Sequence, residues 1–399
     1  MSIQSSYKMS YDDCMVEKAL FPRALSIEAI MAEKSHFLLG PRQTGKSTLI
    51  SQSQLKALIF DLNDERDFFR IGQSPENLKD FVDGTVRLVV VDEIQRAPNL
   101  LNQIHNLIET KDVRFLLTGS SARKLRQGGV NLLGGRARVL HFHPLLMREM
   151  KDSFNLARAL EFGTIPSIYL SSQPRLDLEA YLGTYLRQEI MAEGLVRNLQ
   201  PFRRVLDIAA LCNATIVNFT NVSNDTQVPR TTIYEYFDLL RDTLIVYELP
   251  AWRRSRVRKP IVSSKYYFFD IGVARALQRN VGRGVAPLEQ GHAFETWLLH
   301  ELRAWIDYNQ RNETLKYWRS QSGFEVDFLL GDHTAIEVKA KKWITSTDLK
   351  PLRALRDEGA FKNYVCVCLE ERPRRHDGIE ILPYATFLDR LWETEYHGG

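Results

Sequence analysis

Gly40-Pro41-Arg42-Gln43-Thr44-Gly45-Lys46-Ser47 constrains this chain more than any other stretch, because it sits between a strand pattern and a helix pattern. The apolar run Phe37-Leu38-Leu39 before it reads as a buried strand, and Ser47-Thr48-Leu49-Ile50 after it can open a helix. In that setting successive backbone N–H groups converge on an anion at a helix N-terminus. The pattern predicts a phosphate-binding loop made by residues 40–48. Lys46 would reach the β- and γ-phosphates and the Ser47 hydroxyl would take a place on Mg²⁺. Glycine is expected at 40 and 45 because a Cβ there would keep the backbone from closing around the phosphates.

A second element supports the first. Leu88-Val89-Val90-Val91-Asp92-Glu93 is an unbroken β-branched run ending in two carboxylates. Such a run suits a parallel strand covered on both faces, and its C-terminal end is where open α/β sheets place ligands. Asp92 would hold Mg²⁺ through water, and Glu93 would polarise the water that attacks the γ-phosphate. A third run, Arg114 to Ser121, has the same form, so Thr118 or Ser120 at its tip could contact the γ-phosphate or the water. ATP or GTP binding follows. GTP is disfavoured because no Asn-Lys-x-Asp guanine reader is present.

Formal charge is 53 − 49 = +4 over 399 residues, so any basic partner surface must be local. Hydrophobic content of 44% gives material for two or three cores at about 150 residues each. Cys14, Cys212, Cys366 and Cys368 lack zinc spacing and read as reduced thiols of a cytoplasmic protein, with Cys366 and Cys368 on one strand face. No run approaches the roughly 20 apolar residues of a membrane span. Tyr11-Asp12-Asp13 and Glu17-Lys18 break up any signal-peptide core. His141 and His143, flanking Phe142, read as strand positions and not as ligands.

The expected architecture is α/β with three domains: a phosphate-loop parallel sheet over 1–150, a helical and winged-helix region over 151–260, and a second α/β domain over 261–399. Strands are predicted near 36–39, 57–61, 86–91, 113–118 and 138–143, with a helix over Asn99–Ile108. Leu178, Tyr181, Leu182, Tyr185 and Leu186 recur at helical spacing. Pro229 to Leu240 has a helix start and an apolar face, and the strand Leu244–Leu249 follows, so Arg230–Arg241 reads as a recognition-like helix. The basic run Trp252 to Lys259 could grip phosphates beside the wing, or be a solvated linker ended by Pro260. Further on, Lys265–Asp270 reads as a strand, Leu288–Ile306 as a long helix, and 315–320, 324–330 and 335–340 as a meander. The helix 349–357 and the strand 364–369 follow.

That last third carries its own chemistry. Period two puts Glu337 and Lys339 on one strand face, and a hairpin can bring that face beside Asp327. Glu295 can join from the long helix, on a stripe with Leu299, Leu302 and Ile306. Carboxylates at 295, 327 and 337 would chelate Mg²⁺ or Mn²⁺, and Lys339 would hold the attacking water or the developing charge. The competing reading is a polar hairpin face with a surface Glu–Lys pair.

These motifs together resemble a widespread bacterial and archaeal family of predicted AAA+-type ATPases with a winged helix and a C-terminal domain of unknown function. The matching residues are Gly40–Ser47, Val91-Asp92-Glu93-Ile94-Gln95, Leu117-Thr118-Gly119-Ser120-Ser121, Leu133-Gly134-Gly135-Arg136-Ala137, Tyr181–Tyr185, the winged-helix span and Lys265–Gly272. The family's C-terminal region is similar to the PD-(D/E)xK nuclease fold, matched by Glu295, Asp327, Glu337 and Lys339. The resemblance implies ATP hydrolysis by Lys46, Asp92 and Glu93, and Arg136 as an arginine finger, with Arg138 competing. One departure is Gly163-Thr164-Ile165-Pro166, where the family often has a paired glycine. The expectation is Mg²⁺-dependent ATP hydrolysis coupled to a nucleic-acid-directed, nuclease-like domain, DNA favoured, in a candidate homo-oligomer. The alternative is an ATP-dependent scaffold whose C-terminal fold binds DNA or a protein without cleavage.

Overall fold

The computed structural model describes residues 21–396 apart from 122, 124–131, 187–198, 256 and 394–395. Cys14, the segment 11–18, Arg256, and the side chains of Tyr185 and Leu186 lie outside the described residues.

Strands β1 (Ser35–Leu39), β2 (Leu58–Asp61), β3 (Leu88–Asp92), β4 (Arg114–Gly119) and β5 (Ala137–His141) form one all-parallel sheet in the order β2-β3-β4-β1-β5. The continuous apolar runs explain why both faces are covered. Phe37, Leu39, Val89, Val91, Phe115 and Leu117 enter one hydrophobic cluster, while the alternating Leu38, Val90 and Leu116 enter another. Helices α1 (Lys46–Gln52) and α2 (Leu100–Thr110) lie between strands in the chain. This sheet, a helical region and a mixed-sheet domain make an α/β protein, as the sequence implied.

The middle region carries helices α3 (Leu156–Phe162), α4 (Pro166–Tyr169), α5 (Leu199–Leu211), α6 (Phe219–Thr226) and α7 (Arg230–Asp242). A small antiparallel sheet, β6-β8-β7, follows: β6 is Thr215–Ile216, β7 Val246–Leu249 and β8 Lys265–Phe268. Strand β8 therefore lies with the middle helices, although it falls after the expected boundary at 260. Helix α8 (Ile271–Leu277) stays there too, capped by buried Asp270, which accepts from Val273 N at 3.1 Å and Thr164 N at 2.7 Å. A Cβ on Gly163 would fall 1.9 Å from Asp270 Oδ1, so the first glycine is required and Thr164 takes the second place without strain.

The connection from β7 to β8 is not a free linker, although Arg253, Arg254 and Lys259 stay exposed on it. It pairs along the edge of the C-terminal sheet, with Trp252 N on Tyr317 O at 2.7 Å and Ile261 N on Arg319 O at 2.8 Å. Trp252 is buried and its ring lies 5.4 Å from that of Phe361. Glu358 accepts from Ser255 Oγ, Val257 N and Arg258 N, and Arg258 also pairs with Asp357. Arg254 pairs with Asp332. The strap thus covers a strand edge that would otherwise present unpaired backbone groups, and two of its cations, Arg254 and Arg258, meet carboxylates there.

The C-terminal sheet runs β13-β14-β12-β11-β10-β9, with β9 Leu315–Arg319, β10 Glu325–Leu330, β11 Thr334–Lys339, β12 Asn363–Cys368, β13 Arg374–His376 and β14 Ile379–Pro383. Strands β9, β10 and β11 form an antiparallel meander, and β12 and β14 continue in parallel. The 22-residue helix α9 (Pro287–Tyr308) brings Phe294, Trp297, Leu298 and Leu302 into a core shared with the middle helices. Cys366 and Cys368 both fill one apolar cluster as small buried side chains.

Candidate functional site

The turn at 40–45 carries its sharpest backbone feature at Gly45, whose φ of +96° caps the start of α1. Gly40 is also required by packing. A Cβ there would lie 2.4 Å from the carbonyl oxygen of Phe142, so the chain leaving β5 by itself excludes a side chain. Lys46 is 5% exposed, and its Nζ donates to Gly40 O at 2.6 Å and Pro41 O at 3.1 Å. Thr44 Oγ1 closes the loop onto Pro41 O at 2.8 Å. Arg42, Gln43 and Thr48 are exposed on the loop and the first turn of α1.

Strand order supplies the partners. The tip of β4 lies between the tips of β1 and β3, so Thr118 reaches the acidic pair. Asp92 Oδ2 accepts from Ser47 Oγ at 2.7 Å, and Asp92 Oδ1 accepts from Thr118. Thr118 Oγ1 also accepts from Glu93 N at 3.1 Å. Gln95 Nε2 donates to Glu93 and to Ser120 Oγ, the latter at 3.0 Å. Glu93 sits in the left-handed region at φ 59°. Burial raises its carboxyl above the usual range, with Lys46 acting against that and Asp92 with it. Ser47 and Asp92 offer a hydroxyl and a carboxylate in contact, a hard-oxygen donor set that fits Mg²⁺. Gln95 belongs to the motif read in the sequence but was given no role there.

Two supports of the loop had no sequence signal. Arg23 donates to Thr44 O at 2.7 Å, His143 O at 2.6 Å and Tyr308 OH at 3.3 Å, and pairs with Glu149 at 2.9 Å. Ser167 Oγ donates to Gln43 Oε1 at 2.9 Å, so α4 touches the loop as well. The end of α9 is therefore bound to the loop's backbone through one guanidinium. His143 Nε2 meets Asp307 at 2.6 Å and His141 Nδ1 lies 3.5 Å from it. Burial pushes the His143 ring down to about 4, so it stands neutral. Burial would raise Asp307, but its hydrogen bonds from the two histidines hold it well below the carboxylate range.

Arg136 lies away from these groups. It pairs with Glu109 at the end of α2 and precedes β5, whose first residue is in register with Ser35 at the opposite end of the sheet. Arg138 pairs with Glu33 at 3.0 Å, also at that end. Neither arginine joins the loop of its own chain.

The C-terminal carboxylates come together around a residue that the sequence reading left as an ordinary strand position. Lys265, 2% exposed, reaches in from β8. Its Nζ lies 3.0 Å from Glu295 Oε1 and 3.9 Å from Asp327 Oδ1, and also contacts Glu325. Burial alone would lower its pKa; Glu295 first, then the other acidic groups, hold it well above the usual value. Tyr267 OH donates to the same Glu295 oxygen at 2.5 Å. Asp327 Oδ2 accepts from Val338 N at 2.8 Å, and Lys339 pairs with Glu337 Oε1. Glu337 Oε2 is buried without a hydrogen-bond partner. Burial, then the Glu295 charge, pushes Asp327 up to about 7, and burial, then Asp327, raises Glu337 well above its ordinary value.

Glu295 is held by Lys265 and Tyr267, while Asp327 and Glu337 face each other across β10 and β11. Among the described residues no three His, Cys, Asp or Glu side chains are placed to hold a metal ion together. The physical reason is Lys265, which takes Glu295. Asp327 and Glu337 do fit a cation, because a buried carboxylate oxygen stands there unpaired.

Family models divide the chain in three. One described as "AAA domain" matches residues 32–151. The nucleotide-loop domain is of the AAA type. Two described as domains of unknown function, DUF8612 and DUF4143, match 153–283 and 290–387. The AAA-type sheet is therefore followed by a middle unit that takes in β8 and α8. A comparison with curated proteins finds no match. Among solved structures, the Aeropyrum pernix ORC1 protein in complex with DNA is 13% identical at a TM-score of 0.24, covering 62% of this chain and 87% of its own. A Pyrococcus horikoshii signal transduction ATPase with numerous domains and a tetratricopeptide repeat sensor is 12% identical at 0.22, covering 73% and 49%. Can2 from Sulfobacillus thermosulfidooxidans, in complex with cyclic tetra-adenylate, is 10% identical at 0.21, covering 90% and 98%. Likenesses this distant carry no argument about what this chain binds. No described helix is long and apolar enough to cross a membrane.

Proposed function

We propose that the protein binds and hydrolyses ATP with Mg²⁺ at the AAA-type domain, and that this cycle is coupled to a nuclease-like C-terminal domain acting on nucleic acid, DNA first. The contact between Ser47 and Asp92, with Thr118 on the other carboxylate oxygen, carries the first half. Ser47 and Asp92 would hold Mg²⁺, which would neutralise phosphate charge on ATP bound along Gly40–Thr48. Lys46 would exchange the carbonyls of Gly40 and Pro41 for β- and γ-phosphate oxygens. Glu93, held by Gln95 and raised by burial, is suited to accept a proton from the attacking water, and Ser120 orients Gln95. Arg136 would serve a neighbouring subunit of a homo-oligomer, since it lies across the sheet from its own loop. A cytoplasmic location accords with free, buried Cys366 and Cys368.

For the second half, the order helix, strand, strand that supplies Glu295, Asp327, Glu337 and Lys339 supports the nuclease-like reading. Asp327 and Glu337 would hold Mg²⁺ or Mn²⁺, which would polarise a phosphodiester oxygen, while Lys339 holds the water. The helix pair α6–α7 with β7 and β8 is the proposed winged helix, and we place the second domain boundary at 284–289. Lys265 on Glu295 favours a second reading, in which the domain binds nucleic acid without cutting.

An ATPase assay run beside a plasmid-cleavage assay with Mg²⁺ or Mn²⁺ tests both. Stimulation of hydrolysis by DNA is expected, with cleavage lost in Asp327→Ala. Hydrolysis that ignores Lys46→Ala refutes the ATPase assignment. DNA binding without any cleavage selects the second reading.

A further inference from the structure

Lys265 and Tyr267 stand two residues apart on β8, so both side chains leave the same face of the middle region's sheet and enter the carboxylate cluster of the C-terminal sheet. Glu295 Oε1 takes both of them, at 3.0 Å and 2.5 Å. Glu325 takes Lys265 and, at 3.0 Å, Arg319. These two carboxylates are supplied with donors from the protein. Asp327 and Glu337 differ. They face one another across β10 and β11, one step from the Phe328–Ile336 pair, and Glu337 Oε2 has no hydrogen-bond partner although the residue is 2% exposed.

We propose that this cluster is a one-metal site in which the second cation is Lys265, and that Glu295 is a positioning residue for Lys265 and Tyr267 and not a metal ligand. The inference rests on the nuclease-like reading of the domain. Charge supports it. With Asp327 and Glu337 ionised, as metal binding requires, Glu295, Glu325, Asp327 and Glu337 bring four negative charges; Lys265, Lys339 and Arg319 bring three positive ones, leaving −4 + 3 = −1. One divalent cation on Asp327 and Glu337 makes the site +1, which a single phosphodiester balances. A second divalent cation would make it +3 around the buried Asp327, Glu337 and Lys265, where uncompensated charge is strongly disfavoured. Lys265, 3.9 Å from Asp327, would be the protein cation nearest a phosphate oxygen bound at a metal on that carboxylate. Because Lys265 comes from β8, the site is complete only when the middle unit is docked on the C-terminal sheet.

Mn²⁺ binding to the full-length, nucleotide-free chain tests this, followed by electron paramagnetic resonance in an Asp92→Asn background that disables the other metal position. One bound Mn²⁺ per chain is expected. Glu337→Gln should weaken it at least about tenfold, as loss of a ligand or its close support does. Glu295→Gln should leave one ion bound with affinity changed by less than about threefold. Where Glu295→Gln alone fails to fold, the double variant Glu295→Gln/Lys265→Met removes the pair together and should still hold the ion. That double variant should bind a short oligonucleotide more weakly, with a salt dependence lower by about one phosphate contact. Two bound ions, or loss of Mn²⁺ in Glu295→Gln equal to that in Glu337→Gln, overturns the inference while leaving the nuclease-like reading intact. No Mn²⁺ bound by the parent chain overturns that reading, and this inference with it.

Discussion

Both sites in this chain are built from lysines and carboxylates, and they use them in opposite ways. In the AAA-type domain Lys46 donates to two backbone carbonyls beside the Glu93 charge, and Asp92 accepts from two hydroxyls. In the C-terminal cluster Lys265 and Lys339 lie directly on Glu295 and Glu337. Neutral partners are exchanged cheaply for a phosphate or a metal. A buried ion pair is not, because separating it strands a charge. The first arrangement is one that receives a ligand; the second holds itself together and leaves only the Asp327–Glu337 side open.

Lysine removal should separate the two most strongly. Lys46→Ala is expected to lower ATP hydrolysis on the order of a hundredfold or more, as loss of a transition-state donor does, while leaving the melting temperature close to that of the parent. Lys265→Met should behave in reverse, destabilising the protein by about 3–5 kcal/mol because the buried Glu295 charge is left without a cation, with only the Tyr267 hydroxyl on it. Denaturant titration of both variants decides it. If Lys265→Met is as stable as the parent, the contrast between the sites fails.

The same contrast explains what the sequence disclosed. The loop 40–47, the acidic pair 92–93 and the tip 118–121 are each contiguous, with flanking apolar runs that dictate the five strands, so fold and chemistry could be read together. Arg23, Ser167 and Lys265 could not. Each makes its contact across a long sequence separation, Arg23 to Tyr308 being 285 residues apart, and none stands in a pattern that fixes its partner. Lys265 looked like one more residue of an aromatic strand. The docking of the basic run at 252–259 was hidden for a related reason: its charge was visible, but Asp357 and Asp332, which pair with Arg258 and Arg254, and Glu358, which accepts from its backbone, lie far along the chain.

Glu301 extends the comparison to the junction between the two sites. It is buried on α9 with Oε1 accepting from Met147 N at 2.8 Å, and a small cavity of about 110 Å³ beside it is lined by Arg148 and Trp392. Burial pushes its carboxyl up to about 8 from an ordinary 4.5, with Glu149 adding to the rise. A carboxyl raised on folding keeps its proton in the native state after the unfolded chain has lost it. The stability it allows is therefore full below about pH 4.5 and declines as pH climbs toward 8. Glu301→Gln keeps the shape and removes the ionisation. It should match the parent at low pH and exceed it near pH 8 by on the order of 3 kcal/mol. Parallel stability curves for the two proteins from pH 5 to 9 would contradict this.

Arg136 should give the smallest change in stability and the most informative change in rate. Its ion pair with Glu109 is solvent-exposed, and such pairs are screened and contribute little. Arg136→Ala should therefore leave the melting temperature within about 2 °C of the parent. Arg136 lies at the far end of the sheet from Lys46, so a finger role would be exerted on a neighbouring chain, the alternative being the surface pair with Glu109 alone. Chains carrying Arg136→Ala and chains carrying Lys46→Ala would each be inactive alone. Mixed, some subunits would pair an intact loop with an intact arginine, and hydrolysis should return in part. Full activity of Arg136→Ala by itself would show that the arginine is only a surface ion pair, and would leave the two sites of each chain to work without a partner.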